Sequence, residues 1–320
     1  MDITNFSNFP GKFTRMVLSG GGSKGLAILG ALHYIDERKG LGSIQEYWGT
    51  SVGSIIVLLL SIGYTPFEVF HQFFMMNYFN GGELRSILET AAICPIEVFG
   101  SKVQKFMEKK LGQGANPTFF DLYTRFKNKI HIYGANVDTM RGVCFDLDSF
   151  PLMPVLEAIE ISCDLPYLFT RKKFQGESYV DGGFINNYAI NEADNGRDYV
   201  LGICALGDLP TVGPTANITT GKDHLGWIYR LLFMPIMELH RYRISRLSEK
   251  CVNIELLINN ISIIEMSPSN SKKIEVFSEG YKQSRAILSD LDSVYKIAKD
   301  LVKYTEEHSP GEEWGDFSLD

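Results

Sequence analysis

The feature that most restricts what this chain can fold into is a unit met twice in its N-terminal part: a short apolar strand that runs into glycines and out into an apolar helix. Arg15-Met16-Val17-Leu18 reads as a buried strand, and Gly20-Gly21-Gly22-Ser23-Lys24-Gly25 follows it directly. Leu26–Arg38 then carries Leu26, Leu29 and Leu32 at helical spacing, with Ile28 and Ile35 beside them, and stops at Lys39-Gly40. A second strand around Tyr47-Trp48 leads into Gly49-Thr50-Ser51-Val52-Gly53, and Gly53–Ile62 is an almost wholly apolar helix ending at Gly63. Strands alternating with helices in this rhythm build a parallel sheet with helices on its faces, so the fold class is α/β.

The rest of the chain continues the pattern. Pro66–Phe79, Lys102–Leu111 and Met153–Ser162 read as helices, and Thr118 with Asp121 three residues later has capping-box character. Lys129–Val137, Val143–Leu147, Ser178–Val180 and Tyr199–Ala205 read as strands. The character changes after Gly207. A Pro/Gly/Thr-rich connector, Leu209–Thr220, precedes an aromatic-basic segment (Leu225–Leu247), strand-like runs at Val252–Leu257 and Ile261–Met266, and an amphipathic helix from Lys272 to about Tyr304. The expected division is a leader (1–14), a catalytic domain (15–207), a C-terminal extension packed on it (208–305) and an acidic tail (306–320). The tail, with Glu306, Glu307, Glu312, Glu313 and Asp316, reads as a solvated segment.

Composition sets outer limits. A formal charge of −7 argues against nucleic acid as the main partner, since phosphate binding needs a basic surface. Met1–Lys12 has no apolar core of a signal peptide, and the longest apolar run, Ile55–Leu60, is far short of a membrane span. A cytoplasmic protein is expected, meeting membranes, if at all, from outside as a peripheral contact. The five cysteines (Cys94, Cys144, Cys163, Cys204, Cys251) are scattered, odd in number and set in apolar surroundings. They read as buried thiols in a reducing compartment, not as disulfides or metal ligands. No carboxylate cluster has calcium-loop spacing, so neither a metal nor a cofactor is expected.

Three glycine-anchored motifs carry the chemistry. Gly20–Gly25 lets backbone N–H groups approach an anion at a helix N-terminus, whether a pyrophosphate or a developing oxyanion. A dinucleotide site would need an acidic residue at the end of the second strand. That strand ends instead in Gly49-Thr50-Ser51-Val52-Gly53, a G-x-S-x-G sequence in the strand–turn–helix setting of a nucleophile elbow. Asp181-Gly182-Gly183, alone an ordinary turn, supplies in this order a carboxylate that can take the Ser51 proton.

The three motifs together resemble the patatin-like phospholipases: a strand, G-G-G-x-[RK]-G and a helix; a second strand with G-T-S-x-G; later a D-G-[GA] turn. Ala158-Ile159-Glu160-Ile161-Ser162-Cys163-Asp164-Leu165-Pro166-Tyr167-Leu168-Phe169 is similar to the helix-to-loop stretch before that turn, and the resemblance spans about Arg15 to Leu206. It departs at Asn187-Tyr188-Ala189, where the family usually has a proline, which bears on local loop shape. The resemblance implies a three-layer α/β/α fold with a mainly parallel central sheet. It also implies hydrolysis of acyl esters in phospholipids or other acyl lipids, with Ser51 as nucleophile and Asp181 as general base. Gly21 and Gly22, helped by Lys24, would form the oxyanion hole, with Gly20, Gly25, Gly49, Gly53, Gly182 and Gly183 shaping the motifs. Alternatives are a neutral-lipid lipase or acyltransferase with the same dyad, or a non-catalytic lipid-binding protein.

Other features have plainer readings. Lys24 sits at a helix N-terminus, where a cation is disfavoured, which tilts it toward a role. His224 and His240 follow Asp181 in the order an α/β-hydrolase would use, but neither sits in a glycine-rich loop. His33, His71 and His131 fall on predicted helices and a strand. Arg171-Lys172-Lys173 reads either as a solvated hairpin tip or as a phosphate-headgroup site. Leu225–Leu247 and Phe67–Phe79 read as core by default, with a membrane interface and an acyl-chain tunnel as the respective alternatives.

Overall fold

The computed structural model describes residues 12–75, 95–166, 168–207, 221–261, 265 and 268–308. The expected leader up to residue 11, the 209–220 connector and the tail beyond residue 308 lie outside them, as do Cys94 and residues 76–79 of the helix predicted from Pro66.

One mixed sheet organises these residues. Its strands are β1 (Phe13–Leu18), β2 (Glu46–Thr50), β3 (Lys129–Asn136), β4 (Arg141–Phe145), β5 (Lys172–Phe174), β6 (Glu177–Asp181), β7 (Tyr199–Leu206) and β8 (Cys251–Leu257). β1 lies between β2 and β7, β3 follows β2 and β8 follows β7, all in parallel pairs. β4 and β6 both pair antiparallel with β3, and β5 pairs antiparallel with β6. The expected parallel sheet is therefore correct for its centre and gives way to hairpins at one side.

Side-chain alternation along the strands separates two cores. Met16 and Leu18 point into a large cluster with helices α1 (Gly25–Glu37), α2 (Val52–Ser61), α3 (Pro66–Met75), α4 (Ile96–Leu111) and α6 (Val155–Ser162), and with α10 (Asn270–His308). Val17, Trp48, Tyr133 and Val200 point the other way. They pack against Tyr188, Ala189, Ile190 and Ala193 around the short helix α8 (Ile190–Ala193), joined by Ile244 at the end of α9 (Gly221–Ile244) and by Leu247. Two apolar faces on one sheet produce three layers. After Gly207 the chain adds β8 to the sheet edge and lays α10 on α1. There a Cβ on Gly30 would strike the Phe277 carbonyl, and one on Gly280 the Ala27 carbonyl, so the two helices meet backbone to backbone.

One local expectation is met in detail and two are corrected. α5 (Phe119–Phe126) begins in a capping box: Thr118 Oγ1 accepts the Asp121 N–H at 3.1 Å, and the Asp121 carboxylate accepts the Thr118 N–H at 2.9 Å. α4 starts at Ile96, earlier than the predicted Lys102, because Ile96, Phe99, Val103 and Phe106 form one continuous buried stripe. Ile261, predicted to begin a strand, lies in a bend.

Phe70 and Phe73 are core, as expected, while Phe67 is half exposed beside His33 and Phe277. The core reading of Leu225–Leu247 holds at Ile244 and Leu247 and fails at Leu231, Met234, Leu239 and Tyr242, which lie exposed. The described part of α9 packs mainly through its C-terminal end, so its middle keeps apolar side chains in solvent.

Candidate active site

The two residues on which the chemistry depends are brought together by one edge of β3. β4 occupies the other edge over Ile132–Asn136, so β2 and β6 must share this one. β2 ends with Thr50 opposite Tyr133, and β6, running the other way, ends with Asp181 opposite Gly134. Two strands thus arrive head to head at adjacent positions of a third. Ser51 leaves one tip and Asp181 forms the other.

Ser51 turns sharply from β2 into α2 with φ 52° and ψ −128°, a left-handed conformation costly to a residue with a Cβ. Its neighbours make the turn feasible. A Cβ on Gly49 would lie 2.7 Å from the Gly53 backbone, and one on Gly53 would lie 2.5 Å from Leu18 O and 2.6 Å from Ser19 O. Hydrogen bonds then hold it. The Ser51 N–H donates to Ser162 Oγ at 2.8 Å, Ser162 Oγ donates to Tyr133 O at 2.6 Å, and Ser54 Oγ donates to Ser51 O at 2.6 Å.

Asp181 is 6% exposed, and its carboxylate accepts the Gly183 N–H at 2.7 Å and a hydrogen bond from the Ser51 side chain. Burial outweighs both contacts and pushes the carboxyl up to about 6. The Asp181 N–H donates to Asp164 O at 2.8 Å, and the Gly182 N–H to Ser162 O at 3.4 Å. Asp164 is itself buried, with its carboxylate accepting the Lys172 N–H at 2.6 Å. Burial, opposed by that bond and aided by the negative Asp181, raises it to about 7.

The glycine-rich loop lies alongside. Gly20 donates its N–H to Asn187 O at 3.0 Å, and a Cβ built on it would sit 3.1 Å from Ser51 Cβ. Gly21 (φ 156°) and Gly22 (φ 54°) turn the chain into a 3₁₀ turn at Gly22–Lys24 that runs into α1, and Gly25 packs on Val52. Lys24 is buried, with its ammonium against Gly207 at the end of β7, on the side of β1 away from β2. Ala189, where a proline was expected, precedes α8, and its carbonyl accepts the Glu192 and Ala193 N–H groups.

Three histidines are engaged elsewhere. His240 Nε2 lies 3.3 Å from Glu255 on β8, His33 sits among Phe67, Phe277 and Tyr281, and His131 lies between Glu46 and Asp146. His71 is exposed, and the side chain of His224 lies outside the described residues. Lys172, in the basic cluster, pairs with Glu160 at 2.7 Å. Sequence reasoning missed Ser162 and Asp164 as supports of the site. The available signal was a pair of small polar residues, Ser162 and Asp164, at the end of a largely apolar helix.

Residues 16–194, more than half of the chain, match the family model described as patatin-like phospholipase. A probable lipid hydrolase, 463L of Invertebrate iridescent virus 6, is 28% identical over 59% of this chain and 66% of its own length, so the chain spans just under two thirds of that relative. YqhO of Bacillus subtilis is 25% identical over 85% of this chain and 97% of its own. Among solved structures, VipD from Legionella pneumophila superposes with a TM-score of 0.54 at 14% identity, over 88% of this chain and 67% of its own. Human GIVD cytosolic phospholipase A2, in complex with methyl gamma-linolenyl fluorophosphonate, gives 0.51 at 10% identity, over 90% and 59%. At such identities these two speak for the fold, and the family model carries the assignment: the chain belongs to the patatin-like phospholipase family.

Proposed function

We propose that the protein is a lipid acyl hydrolase that cleaves fatty-acyl esters of phospholipids, with Ser51 as nucleophile and Asp181 as its base. The observation that carries this reading is a serine on a strained turn, at φ 52°, whose side chain is hydrogen-bonded to a buried carboxyl. A carboxylate is a weak base in water; burial that lifts Asp181 toward 6 brings its basicity nearer the working pH.

In the proposed reaction Asp181 accepts the Ser51 proton as Oγ attacks the acyl carbonyl. The tetrahedral oxyanion faces the N–H groups of Gly21 and Gly22 at the start of the helix, each such donor being worth about 3–4 kcal/mol in a pre-aimed site. Collapse breaks the ester bond, and the Asp181 proton passes to the departing alkoxide of the lysolipid. Water then gives its proton to Asp181 and attacks the acyl-Ser51, releasing the fatty acid and restoring both side chains. Lys24, packed toward β7, shapes the loop under this reading.

No described helix is long and apolar enough to cross a membrane. The exposed apolar side chains of α9, near Arg241 and Arg246, suit peripheral contact with a lipid surface. A neutral-lipid lipase or an acyltransferase would use the same pair of residues, whereas a lipid-binding protein would need neither.

The experiment is covalent labelling with a fluorophosphonate, together with a lipid panel read by mass spectrometry, on wild type and Ser51→Ala. Labelling at Ser51, with release of fatty acid from phospholipid in the wild type alone, supports the proposal. An unlabelled wild type, or turnover that survives Ser51→Ala, overturns it.

A further inference from the structure

We infer a second, non-catalytic site on the β3–β4 hairpin: a transition-metal centre of the zinc type held by His131, Cys144 and Asp146. The antiparallel register pairs Tyr133 with Cys144 and Ile132 with Phe145, and one step further sets His131 opposite Asp146. Because side chains alternate along a strand, His131, Tyr133, Cys144 and Asp146 project from one face as a compact block.

The three donor atoms form a triangle. His131 Nδ1 is 3.1 Å from Asp146 Oδ2, and Cys144 Sγ is 3.5 Å from that oxygen and 3.9 Å from the nitrogen. A tetrahedral zinc bound at about 2.0–2.1 Å to N and O and about 2.3 Å to S sets its donors roughly 3.3–3.6 Å apart. The triangle spans that range, so small side-chain movements would make it one face of such a tetrahedron. All three atoms lie within 4.8 Å of one another.

The surroundings match what a metal-bound imidazole requires. His131 Nε2 lies 3.0 Å from Glu46 Oε1, and the other Glu46 oxygen is held by Arg15 Nε at 3.0 Å. A carboxylate behind the ring keeps the proton on Nε2, aims the Nδ1 lone pair at the metal and raises its basicity. Trp48 stacks flat on the imidazole, with centroids 3.8 Å apart and planes 10° apart, and so fixes the ring. His131 and Asp146 are both buried, and the phenol of Tyr133 reaches Cys144, leaving that side chain or a water as the fourth donor.

One thiolate, one imidazole and one carboxylate favour Zn²⁺ over Mg²⁺ or Ca²⁺, and the two negative ligands balance its charge. Binding transfers the Cys144 proton to solvent as the sulfur–metal bond forms. The ion would clip β4 to β3 beside Gly134, the residue on which Asp181 is registered. This departs from the sequence expectation that the cysteines are buried thiols and not metal ligands.

The test uses the full-length protein, stripped with chelator and titrated with Co²⁺ alone under reducing, anaerobic conditions. We expect one equivalent bound, a thiolate-to-cobalt charge-transfer band, and a higher Tm that chelator reverses. Cys144→Ser should lose the band, and Asp146→Asn should weaken cobalt binding at least about tenfold, the loss usual for an altered metal shell. Cys251→Ser, changing a half-buried thiol on β8, should keep both properties. Circular dichroism identifies any variant that fails to fold; Asp146→Asn then carries the test in place of Cys144→Ser. Substoichiometric uptake by stripped wild type, or a band that persists in folded Cys144→Ser, overturns the proposal and leaves His131 as an imidazolium held between two carboxylates.

Discussion

Ser162 holds Ser51 by its backbone and not by its side chain: one hydroxyl accepts the Ser51 N–H at 2.8 Å and donates to Tyr133 O at 2.6 Å. It therefore ties the elbow to the strand on which Asp181 is registered. Ser162→Ala leaves a buried N–H and a buried carbonyl without this partner, at about 1–3 kcal/mol. We expect a lowered Tm and a fall in kcat on the order of a hundredfold with KM little changed, because a small misplacement of the attacking oxygen is enough. Normal kcat in the folded variant would show that the elbow holds without it.

Asp181→Asn separates catalysis from stability. The amide cannot take the Ser51 proton, so turnover should fall to background. The stability effect has the opposite sign. Below about pH 4 the carboxyl is protonated in both folded and unfolded chains. Between the ordinary value of 3.8 and about 6 only the unfolded chain ionises, so the folded state loses stability as pH rises through that window. Roughly 3 kcal/mol is at stake above it, and Asp181→Asn removes that penalty. The variant should melt higher than wild type at pH 8 and no higher at pH 3, as scanning calorimetry would read.

The same shift sets the pH profile. Activity on a short-chain ester should climb through about pH 6 as Asp181 ionises. Burial and the negative Asp181 raise Asp164 to about 7, so Asp164 is still protonated while Asp181 ionises. Asp164→Asn should therefore leave the acid limb near pH 6 and leave the Lys172 N–H an acceptor. A limb that moves to lower pH would make Asp164 part of the tuning of the base.

A dyad predicts tolerant histidines. His240→Ala breaks the contact with Glu255 on β8 and should lower Tm slightly while keeping most of the turnover. Loss of activity in a folded His240→Ala, with activity retained in Asp181→Asn, would transfer the base to the histidine.

The exposed apolar side chains of α9 make a membrane prediction. Met234→Asp should weaken sedimentation with phosphatidylcholine vesicles and leave hydrolysis of a soluble monomeric ester unchanged, since Met234 is 61% exposed. Equal losses on both substrates with a lowered Tm would make it a packing residue.

The sequence alone determined the central α/β layout, the elbow at Ser51 and the position of Asp181 at a strand end. These are local properties: a strand that meets glycines and then an apolar helix has few other ways to fold. The capping box at Thr118 was legible for the same reason, because its two partners lie three residues apart.

What only the tertiary structure decided depends on register between distant segments. That Asp181 meets Ser51 follows from β2 and β6 sharing one edge of β3, and no short window of sequence contains those strands together. Ser162, Asp164 and the His131–Cys144–Asp146 triangle stayed hidden likewise, since each acts through a neighbour far along the chain or across a hairpin. Periodicity tells which face a side chain takes; only pairing tells what it finds there.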